Sequence, residues 1–240
     1  MSGHSKWAKL KHTKGSIDTK RSNLFTKIAH SITVATREAG GDPTSNFKLR
    51  LAIEKSKQAN MPKENVERAI DRGLGKTNEG IIESATYEVF FPGKIAFIID
   101  VLTDNKNRTM GELRKVINVY KGSFAQQGAV LWMFEYRGIL RIRNYEQVAG
   151  SEEFELKIID SGAEDIKKEE GELAVYTLPE NLEKVKNSIE EMGVSVDYAE
   201  TEWFAKDPIE ISEHEQKKVD DIFAKLDDIS EVNDYYTNIK

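Results

Sequence analysis

Residues 139–202 read ILRIRNYEQVAGSEEFELKIIDSGAEDIKKEEGELAVYTLPENLEKVKNSIEEMGVSVDYAETE. Residues 139–143 form a strand-like run, and residues 152–160 carry apolar side chains at helical spacing. Two further strand-like runs, 164–168 and 172–178, are split by the turn Glu169-Glu170-Gly171. Residues 179–192 suit a helix, with Pro179 in its first turn and Gly193 as its stop. Residues 194–202 complete the set as a strand. The order β-α-β-β-α-β is that of a ferredoxin-like domain.

On the N-terminal side of this stretch, residues 87–91 and 94–102 read as strands separated by Pro92-Gly93. Residues 109–120 read as a helix and 129–136 as a strand. This β-β-α-β set is one helix short of covering a sheet. On the C-terminal side lie a helix, 212–226, and a strand, 231–236. A lone helix and a lone strand cannot bury a core of their own. The economical solution sends them back to the earlier sheet and makes the ferredoxin-like stretch an insertion.

Farther toward the N-terminus, Ile17–Ala39 is a long amphipathic helix with Ile17, Leu24, Ile28, Ala35 and Ala39 on one face. At ~100° per residue, Lys20, Lys27, His30 and Arg37 fall together on another. Gly40-Gly41 ends the helix, and Asp42-Pro43 turns the chain. Asn46 can cap a second helix, 47–59, and Pro62 suits the first turn of a third that Gly73 stops. The expected fold class is a multidomain α+β protein. It comprises a basic three-helix domain with an N-terminal arm (1–78), a discontinuous α+β domain (79–136 and 206–240) and an inserted ferredoxin-like βαββαβ domain (137–205).

Charge divides along the same line. Residues 1–76 hold 16 basic and 7 acidic side chains, a net +9, whereas residues 77–240 hold 19 basic and 34 acidic, a net −15. Such asymmetry points to a polyanionic partner for the first segment. The absence of cysteine excludes disulfides and thiolate chemistry and fits a reducing compartment, so a cytoplasmic protein is expected. No apolar run approaches the roughly 20 residues of a membrane span, and residues 1–14 lack the apolar segment of a secretory signal.

The first seventy residues are distinctive: Ser2-Gly3-His4-Ser5-Lys6-Trp7, Asp18-Thr19-Lys20-Arg21, Gly40-Gly41-Asp42-Pro43, and the run Asn60-Met61-Pro62-Lys63-Glu64-Asn65-Val66. Later come Leu102-Thr103-Asp104-Asn105-Lys106-Asn107-Arg108-Thr109 and Val130-Leu131-Trp132-Met133-Phe134. On these motifs the chain closely resembles the YebC/PmpR family, which includes the mitochondrial translational activator of cytochrome oxidase. The resemblance covers the whole chain. It implies three domains with a ferredoxin-like insertion, and a cytoplasmic transcriptional regulator; some members resemble ribosome-associated translation factors instead. Two glycine-rich stretches usual in the family are replaced here by residues 89–94 and 121–128.

Phosphate binding needs mobile cations on an accessible surface. Lys6, Lys9, Lys11, His12, Lys14, Lys20, Arg21, Lys27 and Arg37 supply them on the arm and first helix, and Lys48, Arg50, Arg68 and Arg72 extend the set. No helix announces base reading, so backbone contacts are favoured. The loop Thr103, Asp104, Asn105, Lys106, Asn107, Arg108 reads either as a contact surface at a helix N-terminus or as its capping segment. Motifs of hydrolases, phosphate-cradling loops and zinc enzymes are absent, so no enzyme activity, cofactor, metal or small-molecule substrate is expected. Three functions follow: a DNA-binding transcriptional regulator, a translation factor on ribosomal RNA or the ribosome, and a non-catalytic interaction scaffold.

Overall fold

A computed structural model of the chain describes residues 17–143, 145, 152–169 and 171–240. The fold is mixed α+β, with two four-stranded sheets among the described residues. The chain divides into two compact units, one of them Phe134–Phe204 and the other drawn from the chain on both sides of it.

The flanking unit opens with α1 (Ile17–Ala39), α2 (Phe47–Gln58) and α3 (Lys63–Gly73). Asn46 caps α2, its side chain accepting from the Leu49 amide at 3.0 Å. The shared core is Ile28, Ile32, Ala35, Leu49, Ala52 and Ala69, whereas Ala39 lies exposed. The buried stripe of α1 is broader than one apolar face, taking in Thr33 and Thr36, because α1 packs against both the other helices and strands of the first sheet. α3 ends at Gly73, where the sequence reading placed its stop, and this glycine has a packing role as well. A Cβ there would lie 2.6 Å from the Thr33 carbonyl oxygen and 2.6 Å from Thr36 Cβ, so this glycine lets two helices approach closely. The left-handed residue that follows the helix is Gly75, with φ +72°.

The first sheet comprises β1 (Glu83–Phe91), β2 (Ile95–Thr103), the short β3 (Ser123–Phe124) and β8 (Val232–Thr237), in the order β3-β1-β2-β8. β1 and β2 form a hairpin in register from Glu83↔Thr103 to Phe91↔Ile95, turned by Gly93 and Lys94, both at positive φ. β2 is central and its run Ile95–Ile99 is wholly buried, which explains its unbroken apolar sequence. Helices α4 (Lys106–Val119) and α7 (Glu213–Asp227) pack onto this sheet through Leu113, Ile117, Val219, Ile222 and Leu226. Phe223 stacks on Tyr235 with ring centroids 4.9 Å apart. Ser212 and Glu215 close a reciprocal capping box at the start of α7.

The second unit runs β4 (Phe134–Arg143), α5 (Glu152–Ser161), β5 (Ala163–Glu169), β6 (Glu172–Thr177), α6 (Leu182–Glu191) and β7 (Tyr198–Ala205). Its sheet has the order β5-β6-β4-β7. Two differences from the sequence reading matter most here. Residues 129–136 are not a strand: Leu131–Met133 form a 3-10 turn, and a single strand then runs from Phe134 to Arg143. The last strand begins at Tyr198 rather than Val194, which is still in the connection after α6.

Candidate nucleic-acid interface

The cations of the first 76 residues separate into docked and outward-facing groups. Lys6, Lys9, Lys11, His12 and Lys14 lie outside the described residues, and only the backbone of Lys20 is described, in α1.

On the basic face of α1, Lys27 and His30 are half-buried toward α7 and the first sheet, while Arg37 stays exposed at the edge of the same junction. Lys27 Nζ donates to the Asp227 carbonyl at 3.3 Å, and Asn23 Nδ2 to the Asp228 carbonyl at 3.2 Å. Both satisfy carbonyls at the C-terminus of α7, where a helix dipole attracts positive charge. Burial lowers the Lys27 pKa, opposed by the charges of Asp227 and Asp234. One turn on, Ser31 Oγ meets Asn233 Oδ1 at 3.1 Å. Arg37 Nη1 donates to the Ile82 carbonyl. His30, on the same face, meets the Leu102 carbonyl. Burial first, then the charge of Arg72, lowers its pKa, against Glu231, Leu102 and Asp104; its Nδ1 is buried without a hydrogen-bond partner.

Arg72 extends this junction from α3. Its side chain is 15% exposed; Nε and Nη2 donate to the Gly80 carbonyl at 3.1 and 2.6 Å, and Nη1 lies 3.0 Å from Glu79. Asp104 stands 3.9 Å from Arg72 and 2.8 Å from Arg108, which also reaches Glu231 at 2.9 Å. Burial opposes the charge on Glu231, yet the Ser230 hydroxyl and Arg108 hold its carboxyl below the usual range. The hydrogen bond from Arg68, against a little desolvation and with the charge of Arg72, does the same for Glu79.

Residues 103–108 are knitted into this junction. Asn105 caps α4, its side-chain oxygen accepting from the Arg108 amide at 3.0 Å. The Thr103 hydroxyl accepts from the Asn105 amide at 2.9 Å and meets the Thr109 hydroxyl at 2.9 Å. Lys106 pairs with Glu83 at 2.8 Å, and Asn107 is exposed. The helix therefore starts at Lys106, three residues ahead of the sequence reading, because the cap sits at Asn105.

Most other described cations of this segment face outward, Lys57, Lys63 and Lys76 among them. Arg21 is exposed, its guanidinium 5.3 Å from the Phe25 ring centroid. Lys48 and Arg68 have side chains 73% exposed, paired with Glu38 and Glu79 at 2.7 Å each. Exposed pairs of this kind hold their partners weakly. Arg50 donates to the Pro43 and Thr44 carbonyls and lies 5.3 Å from the Phe47 ring centroid. Among the described residues no cluster of three His, Asp or Glu side chains is arranged to hold a metal ion, and no helix is long and apolar enough to cross a membrane.

The family follows from the whole length of this framework. Residues 5–76 match the TACO1/YebC protein N-terminal domain, and residues 82–239 match the TACO1/YebC second and third domain. The chain belongs to the TACO1/YebC family. A relative from Pseudothermotoga lettingae is 43% identical over 240 residues, covering 100% of this chain and 94% of the relative. One from Chloroflexus aurantiacus is 42% identical, covering 100% and 95%. Both carry the name "Probable transcriptional regulatory protein". The crystal structure of a conserved hypothetical protein from Aquifex aeolicus is similar at TM-score 0.84 and 36% identity, covering 98% of this chain and 97% of that one.

Proposed function

We propose that this protein is a non-enzymatic, cytoplasmic regulator of gene expression that binds the phosphate backbone of DNA through its basic N-terminal segment. The carrying observation is the net +9 of residues 1–76 against the net −15 of the remainder. The names of the relatives agree with a regulatory role. Lys27, Arg37 and Arg72 are committed to the junction, so the contact falls to Lys6, Lys9, Lys11, His12 and Lys14, continuing through Lys20 and Arg21 to Lys48, Arg50 and Arg68. Three working parts belong to the same proposal: a helical domain (1–78), an α+β domain (79–136 with 206–240) and a ferredoxin-like insertion (137–205). The acidic remainder is repelled by a polyanion and orients the molecule, basic end inward.

Gel-shift titration of the full chain against promoter and random duplexes tests the proposal. If about six phosphates are neutralised, log K should fall with log[salt] at a slope near about −5. Reversing Lys9, Lys11, Lys14 and Arg21 to glutamate should abolish binding. Undiminished affinity of that folded variant would overturn the proposal. Equal affinity for all duplexes together with firm co-sedimentation with ribosomes would move the target to ribosomal RNA.

A further inference from the structure

The loop between β3 and β4 holds its backbone tightly and leaves its largest side chain in solvent. Glu88, on β1, is 5% exposed, and its carboxylate accepts from the backbone amides of Gly128, Val130 and Leu131. The Glu88 carbonyl accepts from the Ala125 amide at 2.8 Å. Within the loop, Ala129 donates to the Gln126 carbonyl at 3.0 Å and Met133 to the Val130 carbonyl at 2.9 Å. Lys206 ties down the far end: its amide donates to the Met133 carbonyl, and its Nζ to the Trp132 carbonyl, each at 2.9 Å. A buried acid spent on three main-chain amides fixes the position of this loop, yet Trp132 within it is 67% exposed.

The indole is also restricted in what it can offer. Its Nε1 donates to the Ala129 carbonyl at 2.9 Å, so its one polar atom is already used. A tryptophan that anchors in a protein pocket commonly brings its N–H to the partner. What Trp132 presents is a π-face, oriented by that hydrogen bond. Residues 121–133 contain Lys121 and no acid, and the exposed Lys206 stands at the Trp132 carbonyl with the exposed amides of Gln126 and Gln127 in the same loop. The nearest acids in sequence are Glu135, three residues after Trp132, and Asp207, next to Lys206. A flat, preorganised ring beside a cation and side-chain amides suits an unstacked nucleobase with its phosphate.

We propose that Trp132 is a stacking platform for one base of a single-stranded nucleic-acid segment, with Lys206 on the adjoining phosphate. This site rests on the nucleic-acid reading above and extends it to a second contact, distant in sequence from the basic arm.

The test uses the full chain labelled with 5-fluorotryptophan and a 12-nucleotide oligouridylate. Fluorine NMR reports each indole separately, and Trp132→Phe assigns the resonance. The Trp132 signal should shift with the midpoint seen by fluorescence anisotropy. Trp132→Ala should weaken single-strand binding about ten- to a hundredfold, while Trp132→Phe, which keeps a ring, should stay within about threefold. Duplex binding should move far less. Unchanged thermal unfolding shows that these surface variants remain folded. If Trp132→Ala binds the oligonucleotide like the parent while reversal of the arm cations abolishes binding, the platform is refuted and the nucleic-acid function stands. If neither parent nor variants bind any polynucleotide, both fall. A Trp132 resonance that moves only with a protein partner also refutes the platform.

Discussion

The first sheet meets α4 and α7 through apolar burial, and its junction with α1 carries a set of ion pairs and hydrogen bonds to main-chain carbonyls. On one side stand Phe97, Leu113, Ile117, Val219, Ile222 and Leu226. On the other, Lys27, His30 and Arg37 reach backbone carbonyls at helix and strand ends, and Arg72 and Arg108 cross-link α3, Asp104 and Glu231. Apolar burial is nearly indifferent to salt and proton concentration, whereas ion pairs respond to both. The junction with the helical bundle therefore carries the contacts of this unit that respond most to conditions.

Substitutions on the two sides should separate accordingly. Phe97→Ala should cost the most, about 3–5 kcal/mol, read as a loss in urea midpoint for the whole unit. Next, Gly73→Val should cost ~2–3 kcal/mol, because the added carbons meet the fixed Thr33 carbonyl; hydrogen exchange should quicken in α1 and α3 before it does in β2. Arg72→Gln should cost ~1–2 kcal/mol and make stability less sensitive to added salt, which denaturation at low and high ionic strength would reveal. Equal salt sensitivity in parent and variant would mean that the junction is not held electrostatically.

The smallest effect is the pH response of His30. Its folded pKa lies below the ordinary 6.5, so the unfolded chain takes up the proton first. Stability is whole above about pH 6.5 and declines as pH falls toward the folded value. His30→Gln should flatten that limb between about pH 7 and 5 in thermal melts. The further loss below about pH 4.5 should remain, since Glu79 and Glu231 have lowered pKa values and lose their stabilising charge there.

Periodicity located the helices well. The bounds of α1 are those read from the sequence, and α2 and α7 begin where Asn46 and Ser212 cap them. The direction of the basic face of α1 was not legible. Lys20, Lys27, His30 and Arg37 share a helical face, and such a face is ordinarily solvated. Here the described side chains Lys27, His30 and Arg37 meet main-chain carbonyls 45 to 200 residues away, and main-chain groups carry no sequence signal. Residues 129–133 misled for a related reason. A short apolar run fits a strand or a turn equally, and the deciding group, Glu88, lies on a different element. Gly73 reads as a helix stop because it closes an apolar pattern, and α3 does end there; only the 2.6 Å gap to α1 shows its packing role. The outward position of Trp132 had no signal of its own, since tryptophan in an apolar run ordinarily reads as core.

The pairing of β2 with β8 has a consequence for biogenesis. Phe97 faces Thr237, and the whole of Phe134–Phe204 lies between them in the chain. At typical elongation rates of about 5–20 residues per second, β2 is made roughly seven to thirty seconds before its neighbour. Throughout that interval an oily edge with open hydrogen-bonding groups stands uncovered, a template for illicit pairing between nascent chains on one polysome. Slow translation or premature termination within the later segment would prolong that exposure.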